Sequence, residues 1–359
     1  MKSGFVKIKV AHIVGSLNVG GAERFVIDLC SIQKQLTMKP AIISLGSPDD
    51  PLVNECKANN IPVASYGGGS LIKLLRVFFV LLKFDIIHIH SPHALKFLSY
   101  ILPLLNKKII YTRHGAGALE PAWILVHKKA KRFIDIITCV SQESLEVFHQ
   151  THGWTDIPSY VIDNGVLIKP LCSSIKESTK LHIGSVGRMI PLKNQLSLLR
   201  SIVLLPEEIQ REVEVNFFGD GECLSQLKQF YQNNITNIAV NFHGMVSDRE
   251  LIYSKIDVLV VTSETEGLSM VIIEAMANRI PVIATDVGGN PKLVINEQTG
   301  WLFSYNDDEK LSEYIQRIND DRQVIMDYGD SAFDYVSANF TINSAAKKYA
   351  TLYANSEID

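Results

Sequence analysis

The stretch DVLVVTSETEGLSMVIIEAMANRIPVIAT, residues 257–285, decides the fold. Its two ends, Asp257–Val261 and Pro281–Ala284, are short runs of branched apolar residues typical of buried strands. Between them the apolar residues of Leu268–Asn278 recur at helical spacing. Two buried strands joined by a helix form the βαβ unit of a parallel sheet.

The same alternation extends in both directions along the chain. Further strands are predicted at Lys7–Val14, Lys39–Ser44, Asp85–His90, Lys108–Tyr111, Ile136–Val140, Leu181–Val186, Val213–Phe218 and Asn237–Phe242. Further helices are predicted at 22–35, 50–59 and 194–205. Strands that alternate with helices favour a parallel sheet covered on both faces. The sequence therefore predicts an α/β protein built from Rossmann-like domains.

Residues 165–180, GVLIKPLCSSIKESTK, have no sustained period and predict a linker. We therefore expect Rossmann-like domains at about 1–165 and 180–335. A C-terminal helix at 336–359 is left open to pack on either domain, including back on the N-terminal one. Open parallel sheets bind ligands at the carboxyl ends of their strands, so the cleft between two such domains is the natural site.

Composition excludes several classes of protein. The chain has 359 residues, of which 47% are hydrophobic and 20% charged, so a disordered protein, a collagen-like fibre and a small disulfide scaffold are excluded. The net charge of −3 conceals an asymmetry, because residues 1–170 carry 19 Lys and Arg against 12 Asp and Glu, whereas the remainder is acidic. Two halves of opposite sign fit two domains with different functions.

The five cysteines are far apart, odd in number and without a C-x-x-C pair: Cys30, Cys56, Cys139, Cys172 and Cys223. We expect buried free thiols in a reducing cytosol. The N-terminus lacks the pattern of a secretory signal and instead alternates apolar residues with Lys. These features predict a cytoplasmic protein.

Three apolar segments of the N-terminal half carry basic residues. They are 71–82, 94–108 and 123–133. In the first, Lys73, Arg76 and Lys83 fall on one side of a helix and leave Phe78 and Phe79 on the rest. Each segment is shorter than the roughly 20 apolar residues that span a bilayer. We expect peripheral contact with an anionic membrane surface, and the alternative is a sheet-covering helix whose Lys stems pass over the core.

Two pairs of residues suggest an anion site. Gly20 and Gly21 follow the first strand, where a helix start offers free N–H groups to a phosphate, although a tight turn without a ligand is the alternative. The spacing is not G-x-G-x-x-G, which argues against a nicotinamide cofactor. Arg188 and Lys193 follow the first strand of the second domain, where they can converge on one diphosphate.

Two carboxylates give a stronger signal. Glu266 lies in the loop before the helix of residues 268–278, and Glu274 lies two turns along it among apolar neighbours. A carboxylate buried there needs a partner, and sugar or ribose hydroxyls are suitable because an ionised carboxylate accepts from two of them. The alternative is a helix-start acid that stabilises the dipole, with Glu274 exposed.

Several histidines lie close together in sequence. We expect His88 and His90 to face opposite sides of their strand and therefore not to bind a metal jointly, since no Cys or carboxylate lies beside them at ligand spacing. His114 ends the next strand just before a glycine and is expected to project into the cleft.

At these residues the sequence resembles the retaining glycosyltransferases of family 4, which have the two-domain GT-B fold. The motifs are GGAE at 20–23, FDIIHIHSPHA at 84–94, YTRHG at 111–115, DNGV at 163–166, GRMIPLKN at 187–194, FFGDGE at 217–222, FHGMV at 242–246 and ETEGLSMVIIEAMANRIPVIATDVGGNP at 264–291. They span nearly the whole chain, and the last is highly specific. The resemblance implies two Rossmann-like domains that face each other across a cleft.

The resemblance also implies a donor site for a UDP- or GDP-sugar in the C-terminal domain. Arg188 and Lys193 would neutralise the leaving diphosphate, and Glu274 would hold the ribose hydroxyls. Glu266 would hold the sugar with help from the backbone. The backbone contributors would be Gly267, Leu268, Ser269 and Met270.

Further contacts are implied at the base, the phosphates and the sugar. Backbone atoms of Met245 would contact the base edge, while Gly20 and Gly21 would meet the phosphates across the cleft. His114 would touch the transferred sugar near the reacting carbon. The catalytic set implied by the resemblance is His114, Glu266, Arg188 and Lys193.

The implied chemistry needs neither a metal cofactor nor a protein nucleophile. Departure of the leaving group builds negative charge on the diphosphate, which two cations stabilise electrostatically. The chain has no D-x-D triplet, which fits Arg and Lys in place of a divalent ion. The family retains anomeric configuration, and the acceptor proton is thought to pass to the leaving phosphate oxygen. Lys292 and Asp163 stand where the family often has Glu and Pro, and we expect little effect on activity.

We therefore expect a glycosyltransferase that builds bacterial surface polysaccharide, lipopolysaccharide or another glycolipid. Its acceptor would be a glycolipid or oligosaccharide at the inner face of the cytoplasmic membrane, and no nucleic acid is expected as a partner. Two alternatives remain open. One is a sugar-nucleotide epimerase or hydrolase of the same fold, and the other is a non-catalytic protein that binds sugar nucleotides.

Overall fold

A computed structural model describes residues 7–36, 38–66, 70–115, 121–168 and 179–354. The chain divides into two compact units, and each is an α/β unit with one parallel sheet. Unit 1 takes its residues from Met1–Leu167 and Ile342–Asp359, and unit 2 takes its residues from Ile168–Thr341. The predicted α/β class with Rossmann-like domains is thereby confirmed. Residues 169–178 of the predicted linker, and with them Cys172, lie outside the described residues.

Unit 1 contains a seven-stranded sheet. Its strands are β1 (Ile8–Val14), β2 (Met38–Ser44), β3 (Val63–Ser65), β4 (Ile86–Ile89), β5 (Lys108–Arg113), β6 (Ile136–Cys139) and β7 (Ser159–Val161). Its first helices are α1 (Gly21–Gln35), α2 (Leu52–Ala58), α3 (Ser70–Leu81), α4 (Pro92–Leu98), α5 (Pro121–Ala130) and α6 (Gln142–His152).

The strands of unit 1 lie in the order β3-β2-β1-β4-β5-β6-β7, and every neighbouring pair is parallel. The order reverses between β1 and β4, because the chain builds one half of the sheet before it crosses to the other. In such sheets this reversal point is where ligands bind, outside the carboxyl ends of the strands.

Unit 2 contains a six-stranded sheet. Its strands are β8 (Leu181–Val186), β9 (Val213–Phe218), β10 (Ala239–Phe242), β11 (Val258–Val261), β12 (Val282–Thr285) and β13 (Gly300–Phe303). Its helices are α7 (Leu196–Val203), α8 (Glu207–Glu212), α9 (Leu224–Asn234), α10 (Arg249–Ser254), α11 (Met270–Ala277), α12 (Asn290–Leu293), α13 (Asp308–Asp320) and α14 (Gln323–Asn339). The order is β10-β9-β8-β11-β12-β13, so the reversal lies between β8 and β11.

The last described helix, α15 (Ile342–Tyr353), belongs to unit 1 and packs on α1. Its inward side chains, among them Tyr349 and Tyr353, are buried. Helix α14 ends at Asn339 and stays with unit 2, so the chain passes from one unit to the other at residues 341–342. Unit 1 therefore includes a helix that is far in sequence from its other elements.

The segment 94–108 is not one amphipathic helix, and that expectation is wrong. Helix α4 ends at Leu98, a single 3₁₀ turn follows at Leu102–Leu104, and β5 begins at Lys108. Pro103 fits this break, because it has no N–H to donate to the carbonyl of Ser99, four residues earlier, and so cannot continue the helix.

The cysteines in the described part of the chain carry free thiols, as expected. Cys30, Cys56 and Cys139 are buried, while Cys223 is partly exposed. Burial raises the pKa of the Cys56 and Cys139 thiols to about 12, so both stay protonated at neutral pH. Among the described residues no helix has both the length and the apolar character needed to cross a membrane.

Candidate active site

The loops that follow β8 and β11 carry the charged residues of unit 2. These strands are neighbours in the sheet and flank its reversal point. Arg188 and Lys193 follow the end of β8, and Glu266 follows the end of β11. Parallel strands end at the same edge of the sheet, so the topology brings these loops together.

Lys193 and Glu266 form an ion pair across the two loops. Nζ of Lys193 donates to Oε1 of Glu266 at 2.5 Å. The Ser263 hydroxyl donates to the same oxygen at 2.7 Å, and the Thr262 hydroxyl donates to the backbone carbonyl of Lys193 at 2.9 Å. The Glu266 side chain is only 10% exposed and that of Lys193 is 22% exposed, so solvent screens the pair weakly.

Two glycines let a third loop pack against the backbone of Glu266. A Cβ at Gly288, whose φ is +56°, would lie 2.0 Å from the Glu266 carbonyl oxygen, and one at Gly289 would lie 1.9 Å from that of Gly267. The Gly289 N–H instead donates to the Glu266 carbonyl at 3.2 Å. The glycine pair therefore holds the Glu266 loop against the end of β12.

Helix α11 begins next to this loop with free backbone donors. It starts at Met270, and the Ser269 side chain makes no capping hydrogen bond. The N–H groups of Gly267, Leu268 and Ser269 have no acceptor among the residues that the structure describes, although these residues are buried. A helix start of this kind offers donors and a positive dipole end to an anion or a hydroxyl.

Glu274 is buried, with 5% of its surface exposed, and has partners within unit 2. The Tyr253 hydroxyl donates to its Oε2 at 2.7 Å, and Nε of Arg249 lies 3.6 Å from its Oε1. These contacts give the buried carboxylate polar partners, which offset part of the cost of burying it. The sequence interpretation missed both partners, although their i,i+4 spacing in α10 puts them on one helix face.

The remaining predicted donor contacts of unit 2 are exposed. The Arg188 side chain is exposed and makes no ion pair with any residue in the described ranges, while its backbone carbonyl accepts from Gln195 at 2.9 Å. Met245 is 54% exposed and follows Gly244, the residue whose carbonyl accepts from Gly219 after β9. Both side chains are therefore accessible to a ligand.

In unit 1, Gly20 and Gly21 lie at the start of α1. The helix begins at Gly21, and Gly20 is its N-cap in an extended conformation with no side chain to cap it. The N–H of Arg24 closes the first turn on the Gly20 carbonyl at 3.1 Å.

Three histidines of unit 1, His12, His88 and His90, form a buried cluster at the reversal between β1 and β4. His12 on β1 is in register with His88 on β4, and the ring centroids of His88 and His90 lie 3.9 Å apart. The expectation that His88 and His90 face opposite sides is therefore wrong. The side-chain direction of a strand repeats every two residues, so positions 88 and 90 share a face.

Hydrogen bonds run through the cluster to His114. Nδ1 of His12 lies 2.9 Å from Nε2 of His90, and Nδ1 of His90 lies 3.1 Å from Nε2 of His114. Burial lowers the pKa of His12 and of His114 to about 4 and that of His90 well below its ordinary value. The rings are therefore neutral near pH 7.

A metal ion is the other ligand that such a cluster suggests. The nearest ring nitrogens of His12, His88 and His90 all lie within 4.8 Å of one another. Each nitrogen already has a partner, because His12 also contacts Gln33 at 2.8 Å and His88 contacts Tyr353 at 2.7 Å and Thr112 at 2.6 Å. A bound ion would have to break this network.

Two family models match the chain and together span most of it. The model of glycosyltransferase family 4 matches residues 19–168, and the model of glycosyl transferases group 1 matches residues 173–333. The chain belongs to the family 4 type of glycosyltransferases. It is thus an enzyme of the transferase class, as the motifs predicted.

Relatives and solved structures agree with this family. The chain is 26% identical to the UDP-Gal:alpha-D-GlcNAc-diphosphoundecaprenol alpha-1,3-galactosyltransferase of Escherichia coli, over 90% of each chain. It is 24% identical to the N-acetyl-alpha-D-glucosaminyl L-malate synthase of Bacillus anthracis, over 75% of this chain and 74% of that one.

A solved structure shows the same fold. Anabaena Alr3699/HepE, crystallised with UDP and glucose, superposes with a TM-score of 0.84 over 97% of this chain and 99% of its own, at 22% identity. The predicted GT-B fold of the family 4 glycosyltransferase is thereby confirmed.

Proposed function

We propose that this glycosyltransferase is a retaining, metal-independent enzyme that moves a sugar from a UDP- or GDP-sugar to a glycolipid or polysaccharide acceptor of the bacterial cell surface. The observation that carries the proposal is the Lys193–Glu266 pair beside the free N–H groups of Gly267, Leu268 and Ser269. One place thus offers a cation, a carboxylate and backbone donors, the groups that a sugar diphosphate needs.

Each group has a role that follows from its chemistry. Lys193 and the exposed Arg188 stabilise the charge that develops on the leaving diphosphate. Glu266 and the N–H groups at the start of α11 hold the hydroxyls of the sugar, and Met245 contacts the base edge. Glu274 accepts from the ribose hydroxyls, and Tyr253 and Arg249 hold it in place. In unit 1, Gly20 and Gly21 offer N–H groups to the phosphates.

The reaction proceeds without a covalent enzyme intermediate in this proposal. The bond between the anomeric carbon and the phosphate oxygen breaks while the acceptor oxygen approaches from the same side. The acceptor proton passes to the leaving phosphate oxygen. His114 contacts the transferred sugar, and no protein nucleophile takes part.

The relatives support a lipid-linked or polysaccharide acceptor. The Escherichia coli relative is named for a diphosphoundecaprenol substrate and a UDP-galactose donor. Another relative from Escherichia coli, 27% identical over 73% of this chain, is named as an O-antigen biosynthesis glycosyltransferase. We infer that the present enzyme works on an acceptor of the same chemical class.

A peripheral membrane position would bring the enzyme to such an acceptor. Leu71, Leu75 and Phe79 recur every four residues on α3 and are 71%, 51% and 62% exposed. Arg76 and Lys83 are exposed beside them, which suits an anionic lipid surface. Lys73 does not join this face, because its Nζ donates to the Leu45 carbonyl at 2.5 Å.

The product of transfer tests the proposal. The full-length enzyme is incubated with UDP- and GDP-sugars and a set of lipid-linked and oligosaccharide acceptors in the presence of EDTA. We expect a product whose anomeric coupling constant matches that of the donor. Inversion, or a requirement for a divalent ion, contradicts the mechanism. A sugar nucleotide that is changed in the absence of acceptor contradicts transfer and points to an epimerase or hydrolase.

A further inference from the structure

His12, His90 and His114 of unit 1 form a directed series of hydrogen bonds. We propose that His12 and His90 are positioning residues that hold His114 as its Nε2–H tautomer, so that its Nδ1 is an acceptor for a hydroxyl of the transferred sugar. This rests on the proposed function only for the identity of the ligand. The tautomer itself follows from contacts within unit 1.

Gln33 sets which atom donates and which accepts in this series of hydrogen bonds. Its amide oxygen Oε1 lies 2.8 Å from Nε2 of His12, while its amide nitrogen donates to the Tyr353 hydroxyl at 3.4 Å. An amide oxygen only accepts, so Nε2 of His12 carries the proton. A neutral imidazole has one proton, and Nδ1 of His12 is therefore an acceptor.

The same rule then fixes the next two rings. Nδ1 of His12 accepts from Nε2–H of His90, at 2.9 Å, which leaves Nδ1 of His90 without a proton. Nδ1 of His90 in turn accepts from Nε2–H of His114, at 3.1 Å. Nδ1 of His114 is then unprotonated.

The series of hydrogen bonds ends at His114, whose other ring nitrogen is available to a ligand. Nδ1 of His114 is buried and has no hydrogen-bond partner among the residues that the structure describes. An unpaired buried acceptor is easier to tolerate than an unpaired buried N–H donor. This agrees with the direction set at Gln33 and leaves a lone pair for a group that arrives with a proton.

Neighbouring contacts hold the rings in this geometry. The Phe25 ring packs edge-on against His114, with the ring centroids 5.7 Å apart. His88 contacts Tyr353 and Thr112 and lies against His90. Helix α15 thus contributes Tyr353 to a network that ends at a residue of the predicted catalytic set.

The ligand that fits is an O–H donor. A sugar hydroxyl that donates to Nδ1 of His114 loses this contact when fluorine replaces it, because carbon-bound fluorine has no proton to donate. With the opposite tautomer, Nδ1–H would be the donor and the fluorine would be tolerated better. This relay of hydrogen bonds from Gln33 to His114 therefore predicts that binding weakens when fluorine replaces the hydroxyl that contacts His114.

Nuclear magnetic resonance of ¹⁵N-histidine in the full-length protein tests the tautomer without any substrate. Signals of His114 are assigned from His114→Asn. We expect a protonated Nε2 and an unprotonated Nδ1 in the wild-type protein at pH 7.5. A protonated Nδ1 overturns the relay and leaves the proposed function standing, whereas absent transfer with the expected tautomer counts against the proposed function alone.

Variants of His90 distinguish a role in positioning His114 from a merely structural role. His90→Asn keeps an oxygen acceptor in the place of the Nδ1 atom that faced His114. It should preserve the His114 tautomer, and its rate of transfer should stay within about tenfold of the wild-type rate. His90→Leu removes the acceptor, so we expect mixed tautomers and about 10- to 100-fold slower transfer. Equal rates and one shared tautomer in both variants would overturn the relay.

A bound metal ion is the competing explanation for the clustered histidines. Stoichiometric zinc in the purified protein, lost in His12→Asn, would mean that these nitrogens are ligands and would overturn the relay.

Discussion

Nζ of Lys193 lies 2.5 Å from Oε1 of Glu266, although the two residues are 73 positions apart in the chain. The pair joins the loop after β8 to the loop after β11, at the point where the order of the strands reverses. Pairing orients the lysine, so a diphosphate meets a cation already in place. The proposed donor site is thus organised before any ligand binds.

Removal of either cation should slow transfer strongly. Lys193→Ala and Arg188→Ala each remove a charge that stabilises the leaving diphosphate, so we expect kcat to fall by about 10²- to 10³-fold in steady-state assays. Arg211→Ala is the matched control, since Arg211 is exposed on α8 and pairs with Glu207 one turn earlier in that helix. Near-wild-type turnover in both cation variants would contradict the assignment.

Loss of the Tyr253 hydroxyl should destabilise unit 2. In Tyr253→Phe the buried Glu274 loses a donor at 2.7 Å, and hydrogen bonds to charged groups contribute about 1.5–3 kcal/mol. Urea denaturation should show a lower free energy of unfolding. Tyr231→Phe should change it much less, because the contact of that hydroxyl with the Ile238 carbonyl is long, at 3.4 Å. Equal effects would argue against a special role for Tyr253.

Membrane association should depend on α3. Leu75→Ser with Phe79→Ser removes two exposed apolar side chains, and we expect at least tenfold weaker cosedimentation with phosphatidylglycerol vesicles. Met326→Ser is the control, as Met326 is 65% exposed on α14 of unit 2. Undiminished binding of the α3 variant, or equal binding of the wild type to neutral phosphatidylcholine vesicles, would count against the proposal.

Unit 1 should lose stability in mild acid. Burial lowers the pKa of His12 and of His127 from 6.5 to about 4, so the unfolded chain binds protons that the folded unit does not. Their contribution is complete above pH 6.5 and is lost as the pH falls toward 4, at up to about 1.4 kcal/mol per pH unit for each histidine.

The fluorescence of a Trp301→Phe variant can follow this loss. Its remaining tryptophans, Trp123 and Trp154, both belong to unit 1. Urea titrations at pH 7, 6 and 5 should give a falling free energy of unfolding. A constant value over that range would show that these histidines are not neutral and buried in the folded protein.

The regular elements near the sheet centres could be predicted from sequence, because a buried strand such as β11 (VLVV) is a continuous apolar run. The strands β3 and β7 were missed, since three residues give too little pattern, and β13 was also missed. The return of α15 to unit 1 rests on contacts with α1, which no local pattern encodes.

The candidate site could likewise be predicted from the sequence only in part. The motifs identified Lys193, Glu266 and Glu274 as residue types suited to a sugar diphosphate. Their partners could not be predicted, because the Lys193–Glu266 contact depends on which strands are neighbours in the sheet. The shared face of His88 and His90 could have been predicted, because they are two residues apart, whereas the pairing of His12 with His88 is set by the register of β1 and β4.

Calorimetric titration of UDP and GDP tests the donor site most directly. The account predicts that one of the two nucleotides binds at a single saturable site of the wild-type enzyme. The affinity should fall at least tenfold in Lys193→Ala and in Glu274→Ala but stay unchanged in Arg211→Ala. Binding of neither nucleotide, or equal affinity in all four proteins, would contradict a donor site at these residues.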